Sequence, residues 1–173
     1  MLKARAASDS ETSLVEDITL EAVRSATDEL RGLIDNLDRT LAQEYLPEQQ
    51  HGLKLDELFE PHMRFFIARL DGEAVGCGGV ALFATFGEVK RMYVRDAARG
   101  RGIARALLSR IESETQANGL ELLRLETGVL QLDALRLYER AGFQVCDAFG
   151  DYTAMAPDAI VTSIFLEKRL SVA

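Results

Sequence analysis

Apolar positions change period along this chain, and the changes divide it into elements. Leu14, Val15, Ile18 and Leu20 predict a short strand leading into a helix. From about Glu21 to Glu44, Leu30, Leu33, Ile34, Leu37 and Leu41 recur at helical spacing, with Asp28, Glu29, Arg31, Asp35, Asp38 and Arg39 on the other face. Pro47 closes this region, and a second short helix is predicted at Leu55–Phe59, stopping before Pro61. The pattern then becomes strand-like. Phe65–Leu70 is rich in aromatic and branched residues, Asp71-Gly72 is a hairpin turn, Val75–Phe83 is the return strand and Phe86–Val94 a third strand, giving an antiparallel meander. Period 3.6 returns with Ile103, Leu107, Leu108 and Ile111 and stops at Asn118-Gly119. Leu120–Glu126 (strand), Leu132–Ala141 (helix, ending at Gly142), Phe143–Val145 and Ile160–Lys168 (strands) complete the chain. A strand–helix–strand order calls for a parallel crossover, so the fold class is α+β with a mixed sheet.

Length and charge narrow the function. The 173 residues fit one domain, read as 13–173 behind a loose polar tail at 1–12. A formal charge of −8 argues against nucleic acid and anionic membranes as partners. Cys77 and Cys146 form neither a disulfide framework nor a CxxC pair, and are read as reduced core thiols. The N-terminus is basic but lacks the apolar stretch of a signal peptide, and no apolar run approaches the length of a membrane span. A cytoplasmic location is therefore expected. His51 and His62 join no cysteine or carboxylate set at metal-ligand spacing, so no metal is expected.

Against that acidic background one basic loop stands out, Arg99-Gly100-Arg101-Gly102-Ile103-Ala104, between the third meander strand and the next helix. A helix N-terminus presents unpaired N–H groups and a positive partial charge. Glycines there let the backbone close on an anion such as a pyrophosphate, and Arg99 and Arg101 add full charges. Solvated arginines on a glycine turn are the plainer alternative. A Walker loop is absent. A dinucleotide fingerprint fits only in its first half, because position 105 is Arg and the preceding strand belongs to a meander.

Arg99-x-x-Gly102-x-Ala104 at a helix start resembles the Q/R-x-x-G-x-G/A signature of the GNAT N-acetyltransferases. Glu88-Val-Lys-Arg-Met-Tyr-Val94 is similar to their fourth strand, and Leu137-Tyr-Glu-Arg-Ala-Gly-Phe143 to their late LYxxxGF motif. The resemblance covers about residues 63–168. His51-Gly52-Leu53 and Phe149-Gly150-Asp151-Tyr152 also look like a bacterial subgroup of YsnE-like proteins.

The resemblance implies a twisted, mainly antiparallel sheet flanked by helices, with a splayed parallel strand pair and a cofactor-binding core at about 86–145. It implies acetyl-CoA as cosubstrate and a small-molecule or peptide amine as acceptor; a monomer or homodimer is expected on the general ground that soluble enzymes are commonly one or the other. Backbone groups of Met92, Tyr93 and Val94 would meet the pantetheine and acetyl carbonyl. Arg99, Gly100, Arg101, Gly102, Ile103 and Ala104 would wrap the pyrophosphate. Glu88 falls where some members hold a general base, and Tyr138 where many hold a proton donor to the departing sulfur. Gln131 stands where many members have an Asn that contacts the cofactor. His51, Glu126 and Tyr152 are weaker candidates for the acceptor side.

Reference pKa values shape these roles. A lysine-like amine near 10.4 and a glutamate near 4.3 are badly matched, so Glu88 needs burial or a water relay, or else pairs structurally with Lys90 or Arg91. A thiol near 8.5 lies below tyrosine near 10, so Tyr138 is better suited to hydrogen-bond a thiolate than to protonate it fully. The leading expectation is direct acetyl transfer to an amine in a ternary complex. The alternative is a catalytically idle coenzyme A-binding sensor or interaction module.

Overall fold

The computed structural model describes residues 16–171; Leu14, Val15 and the tail 1–12 lie outside them. The elements are β1 (Ile18–Val23), α1 (Asp28–Glu44), β2 (Met63–Leu70), β3 (Glu73–Leu82), β4 (Gly87–Val94), α2 (Ile103–Ala117), β5 (Leu122–Gly128), α3 (Leu132–Arg140), β6 (Gln144–Val145), α4 (Pro157–Ile160) and β7 (Ser163–Arg169). They build one seven-stranded sheet in the order β1-β2-β3-β4-β5-β7-β6, antiparallel except for the β4–β5 pair.

Alternation along β2 shows how the sheet is covered. Phe65 and Ile67 join Leu30, Leu33 and Ile34 of α1 on one face. Phe66 and Ala68 join Ile103, Leu107, Leu108 and Ile111 of α2 on the other. Burying a large apolar side chain contributes about 1.5–3 kcal/mol, so these two stripes hold the helices to the sheet. The Asp71-Gly72 turn has φ of 49° and 88°, the left-handed pair a two-residue hairpin requires.

Two elements differ from the sequence reading. The first helix begins at Asp28, not near Glu21, because residues 18–23 pair with β2 and Thr27 caps the helix by accepting from the Leu30 N–H at 3.2 Å. The last strand begins at Ser163, not Ile160, because a short α4 at Pro157–Ile160 precedes it, itself preceded by a one-turn helix at Gly150–Ala154. Cys77 is fully buried, and burial pushes its thiol up to about 12. Cys146 is only half-buried; both thiols are free.

Candidate active site

The site grows from a fault in the sheet. β4 and β5 pair only at Gly87–Leu123 and Glu88–Arg124. Beyond that, β4 runs on to Val94 and β5 to Gly128 without a ladder between them, while β5 keeps its full register with β7 on its other edge. Backbone polar groups facing this seam have no strand partner, and such groups require one. A bulge in β4 sharpens the divergence: Arg91 and Met92 together oppose Gly78 of β3, and Arg91 takes φ 56°.

At the far end of β4 lies the basic loop. After a single turn at Asp96–Ala98, Gly100 (φ 77°) and Gly102 (φ 83°) take left-handed conformations that turn the chain into α2. No side chain caps the α2 N-terminus and no acid lies in its first turn, so its leading N–H groups keep their positive potential. Ile103 is buried and Ala104 packs on the core. Arg99 is tied to the loop, its Nε donating to the Val94 carbonyl at 3.1 Å and its Nη2 pairing with Asp96 at 3.1 Å. Arg101 pairs with Glu16 at 3.3 Å and is about half exposed. Val94 is buried; Met92 and Tyr93 are half-buried along the seam.

On the α1 side the seam opens into a cavity of about 120 Å³. Its wall includes Leu37, Leu41 and Tyr45 of the first helix region, His51 and Gly52, Lys90 and Arg91 of β4, Glu126 and Gly128 of β5, Gln131, and Tyr152. Tyr45 accepts a hydrogen bond from the Leu130 N–H at 2.9 Å, tying the end of α1 to the loop after β5. Gln131 donates its side-chain amide to Glu44, and so bridges the same two segments.

Glu88 is buried but is not among the residues lining the cavity. Its Oε1 accepts from the Tyr152 hydroxyl at 2.7 Å and meets Lys90 Nζ at 2.8 Å, and Lys90 also donates to the Tyr152 hydroxyl at 3.1 Å. The ion pair foreseen as a surface alternative for Glu88 is thus present, with Lys90, and it is internal. Burial, then the Glu88 charge, pushes the Tyr152 hydroxyl well above its ordinary value. The Tyr152 ring packs edge-on against Phe149, Phe165 and His51.

Glu126 lies in the cavity wall. Burial pushes its carboxyl above the usual range, opposed in part by Ser163, His51 and Lys90. The buried Ser163 hydroxyl is close enough to favour the carboxylate, although it is not aligned for a hydrogen bond to any described group. His51 Nε2 lies 2.8 Å from the Ala159 carbonyl. A carbonyl only accepts, so Nε2 is the donor in this contact. Tyr138 is buried on α3, edge-on to Phe143 at 5.6 Å. Burial, helped by Glu126, raises it above the ordinary tyrosine value.

Tyr45, Lys90, Arg91 and Ser163 were not singled out as site residues from the sequence. Lys90 and Arg91 entered only as partners for Glu88, and nothing in linear spacing marks a charged strand residue as internal. Among the described residues no helix is long and apolar enough to cross a membrane, and no three His, Cys, Asp or Glu gather as a metal site.

The profile of the Acetyltransferase (GNAT) family matches residues 31–143. The chain is 43% identical over 156 residues to a protein named IAA acetyltransferase from Azospirillum brasilense, covering 89% of this chain and 99% of that one. It is 36% identical over 127 residues to YsnE of Bacillus subtilis, an uncharacterised N-acetyltransferase, covering 72% and 81%. Among solved structures, a Klebsiella pneumoniae protein described as an acyl-CoA N-acyltransferase superposes with a TM-score of 0.72 at 33% identity, covering 89% of this chain and 98% of that one.

Proposed function

This chain belongs to the GNAT acetyltransferase family and is an acyltransferase, and from that premise we propose that it transfers the acetyl group of acetyl-CoA directly to an amine held in the cavity beside the seam. The observation that carries the reading is the unpaired β4–β5 seam, which runs from the uncapped N-terminus of α2 to that cavity.

The residues present fit acetyl-CoA. Main-chain N–H groups from Gly100 to Ala104, with Arg101 beside them, would hold its pyrophosphate; free backbone groups of Met92, Tyr93 and Val94 would hold its extended arm. Bound there, acetyl-CoA supplies an activated acyl group at a thioester.

The chain's own groups then have three tasks. An acceptor amine arrives as an ammonium and must lose a proton before it attacks. Glu126, half-buried in the cavity wall and raised by loss of solvent there, is the group for this task; raising a carboxyl narrows its gap to the amine. The base role expected of Glu88 is reassigned, since Glu88 is engaged by Tyr152 and Lys90 and acts as a positioning residue for them. Seam-facing N–H groups at the β4 bulge stabilise developing negative charge on a carbonyl oxygen, a kind of donor whose loss typically costs about 10²–10³ in rate. Tyr138, kept protonated by burial, offers its hydroxyl hydrogen to the departing sulfur as a hydrogen bond.

Calorimetry with acetyl-CoA, followed by thiol release across an amine panel, tests the proposal. Binding together with release on at least one amine supports it. Binding without release on any acceptor leaves the idle coenzyme A-binding module, and no binding rejects both.

A further inference from the structure

One wall of the acceptor cavity carries a guanidinium that packing does not account for. Arg91 sits at the β4 bulge in a left-handed conformation unusual for a residue with a side chain. Its side chain is only 4% exposed. Of its five N–H groups, one is donated to Asp38, a carboxylate on α1 that is itself 55% exposed. Its Nε is buried with no hydrogen-bond partner among the described residues. A buried charge left under-satisfied is costly, and such a group in a native fold calls for an explanation. Room has been kept for it: a Cβ at position 52 would run into the guanidinium, so Gly52 clears the space beside it.

The other charges around the cavity are already matched or opposite in sign. Lys90 is neutralised by Glu88, and Glu126 supplies a carboxyl. The wall therefore presents one acid and one incompletely paired guanidinium. A guanidinium fork matches a carboxylate in shape and charge.

Resting on the reading that this cavity receives the acceptor, we propose that Arg91 anchors a carboxylate carried by the acceptor amine, so that the substrate class is amino acids and related amino-carboxylates, with the amine toward Glu126 and the carboxylate on Arg91. Transfer then forms the amide N–C bond and breaks the thioester C–S bond. The ammonium gives its first proton to Glu126 before attack; the second N–H proton, lost as the amide forms, passes to the departing thiolate, which leaves hydrogen-bonded to Tyr138 and is released as the free thiol.

The test compares amino acids with their own carboxamides (glycine, alanine and phenylalanine) as acceptors in acetyl-CoA-dependent thiol release. The carboxamide amine is the less basic, so at neutral pH more of it is already unprotonated, and a preference for the acid runs against the supply of free amine. Wild type is expected to favour the acid in kcat/KM by about tenfold or more, the worth of a charge-assisted bond. Arg91→Gln should erase that preference through the KM for the acid, leaving the KM for acetyl-CoA and for the amides within about twofold. Asp38→Asn breaks the same ion pair but spares the guanidinium, so it should lower stability while keeping or enlarging the preference. It carries the test if Arg91→Gln does not fold. Equal use of acid and amide by wild type, or loss of the preference in Asp38→Asn as complete as in Arg91→Gln, overturns the proposal. If no amine is acetylated, the transfer reading fails separately. Thermal protection of the chain saturated with coenzyme A then decides for Arg91: protection by acids over amides, lost in Arg91→Gln, supports it, and equal protection refutes it.

Discussion

Two tyrosines in this site separate a structural hydroxyl from a chemical one. The Tyr152 hydroxyl donates to Glu88 and accepts from Lys90 in the protein interior. Tyr152→Phe leaves a buried ion pair short of a partner, and such a loss costs about 1–3 kcal/mol. Chemical denaturation should report that loss, with the affinity for acetyl-CoA unchanged because the basic loop is untouched. Tyr138 packs by its ring on Phe143, and phenylalanine keeps that ring, so Tyr138→Phe should leave stability within about 1 kcal/mol and lower kcat by about 10²-fold, as removal of a positioned proton donor does. A stability loss without a rate loss in Tyr138→Phe would reduce that residue to core packing. Glu126 carries the pH dependence. Its folded-state pKa is raised, so between the ordinary carboxylate value and the raised one the native state binds more proton than the unfolded chain, and stability falls as pH rises through that window. Glu126→Gln should remove that fall in melting temperature. It should also remove an acidic limb of kcat/KM lying above the ordinary carboxylate range, because the base works only when deprotonated. An unchanged pH–rate profile in Glu126→Gln would take the base role away from it.

At the scale of elements, the α2 N-terminus is where backbone conformation and ligand binding meet. Neither Gly100 nor Gly102 has a neighbour within 4 Å of a built Cβ, so their requirement is one of torsion, not space. Gly102→Ala is expected to cost about 1–2 kcal/mol for forcing a side chain into the left-handed region. It should also weaken acetyl-CoA binding by misaiming the N–H groups at Ile103 and Ala104; denaturation and calorimetry on the same preparation measure both. A stability cost with unchanged affinity would mean that the turn serves only the helix. Most elements were legible because burial writes a period into the sequence: α2 shows Ile103, Leu107, Leu108 and Ile111, and β2 shows its aromatic run. The start of α1 was misread because Ile18, Leu20 and Ala22 alternate in a strand that abuts the helix, and Thr27 alone marks the boundary. The loop 99–104 was visible because glycine and arginine are rare together in so acidic a chain. Arg91, Ser163 and Tyr45 were not visible, because their environment is made by segments distant in sequence: Asp38 from α1, Gly52 from a loop, and Leu130 after β5.

Taken whole, the molecule is a sheet joined across its middle by a short parallel ladder. β1 to β4 with α1 and α2 lie on one side; β5, β7, β6 and α3 lie on the other, with two residue pairs between β4 and β5. Side-chain and loop contacts reinforce the join near the cavity, where Tyr45 holds the Leu130 N–H and Gln131 holds Glu44. A ligand lying along the seam would supply what the two strands withhold from each other. Its binding should therefore act on both sides at once. At acetyl-CoA concentrations about 100 times Kd, stabilisation should reach about 2.7 kcal/mol by mass action. Hydrogen exchange should slow at the seam-facing amides of Val89–Val94, at the first turn of α2, and at Leu125–Gly128 across the gap. Tyr45→Phe removes the acceptor of the Leu130 N–H, so protection beyond the seam should shrink there first while the loop at 99–104 stays protected. If acetyl-CoA slows exchange in α2 but leaves β5 unaffected, the ligand binds at the loop without bridging the sheet, and the cavity at 126–128 is not the place where transfer occurs.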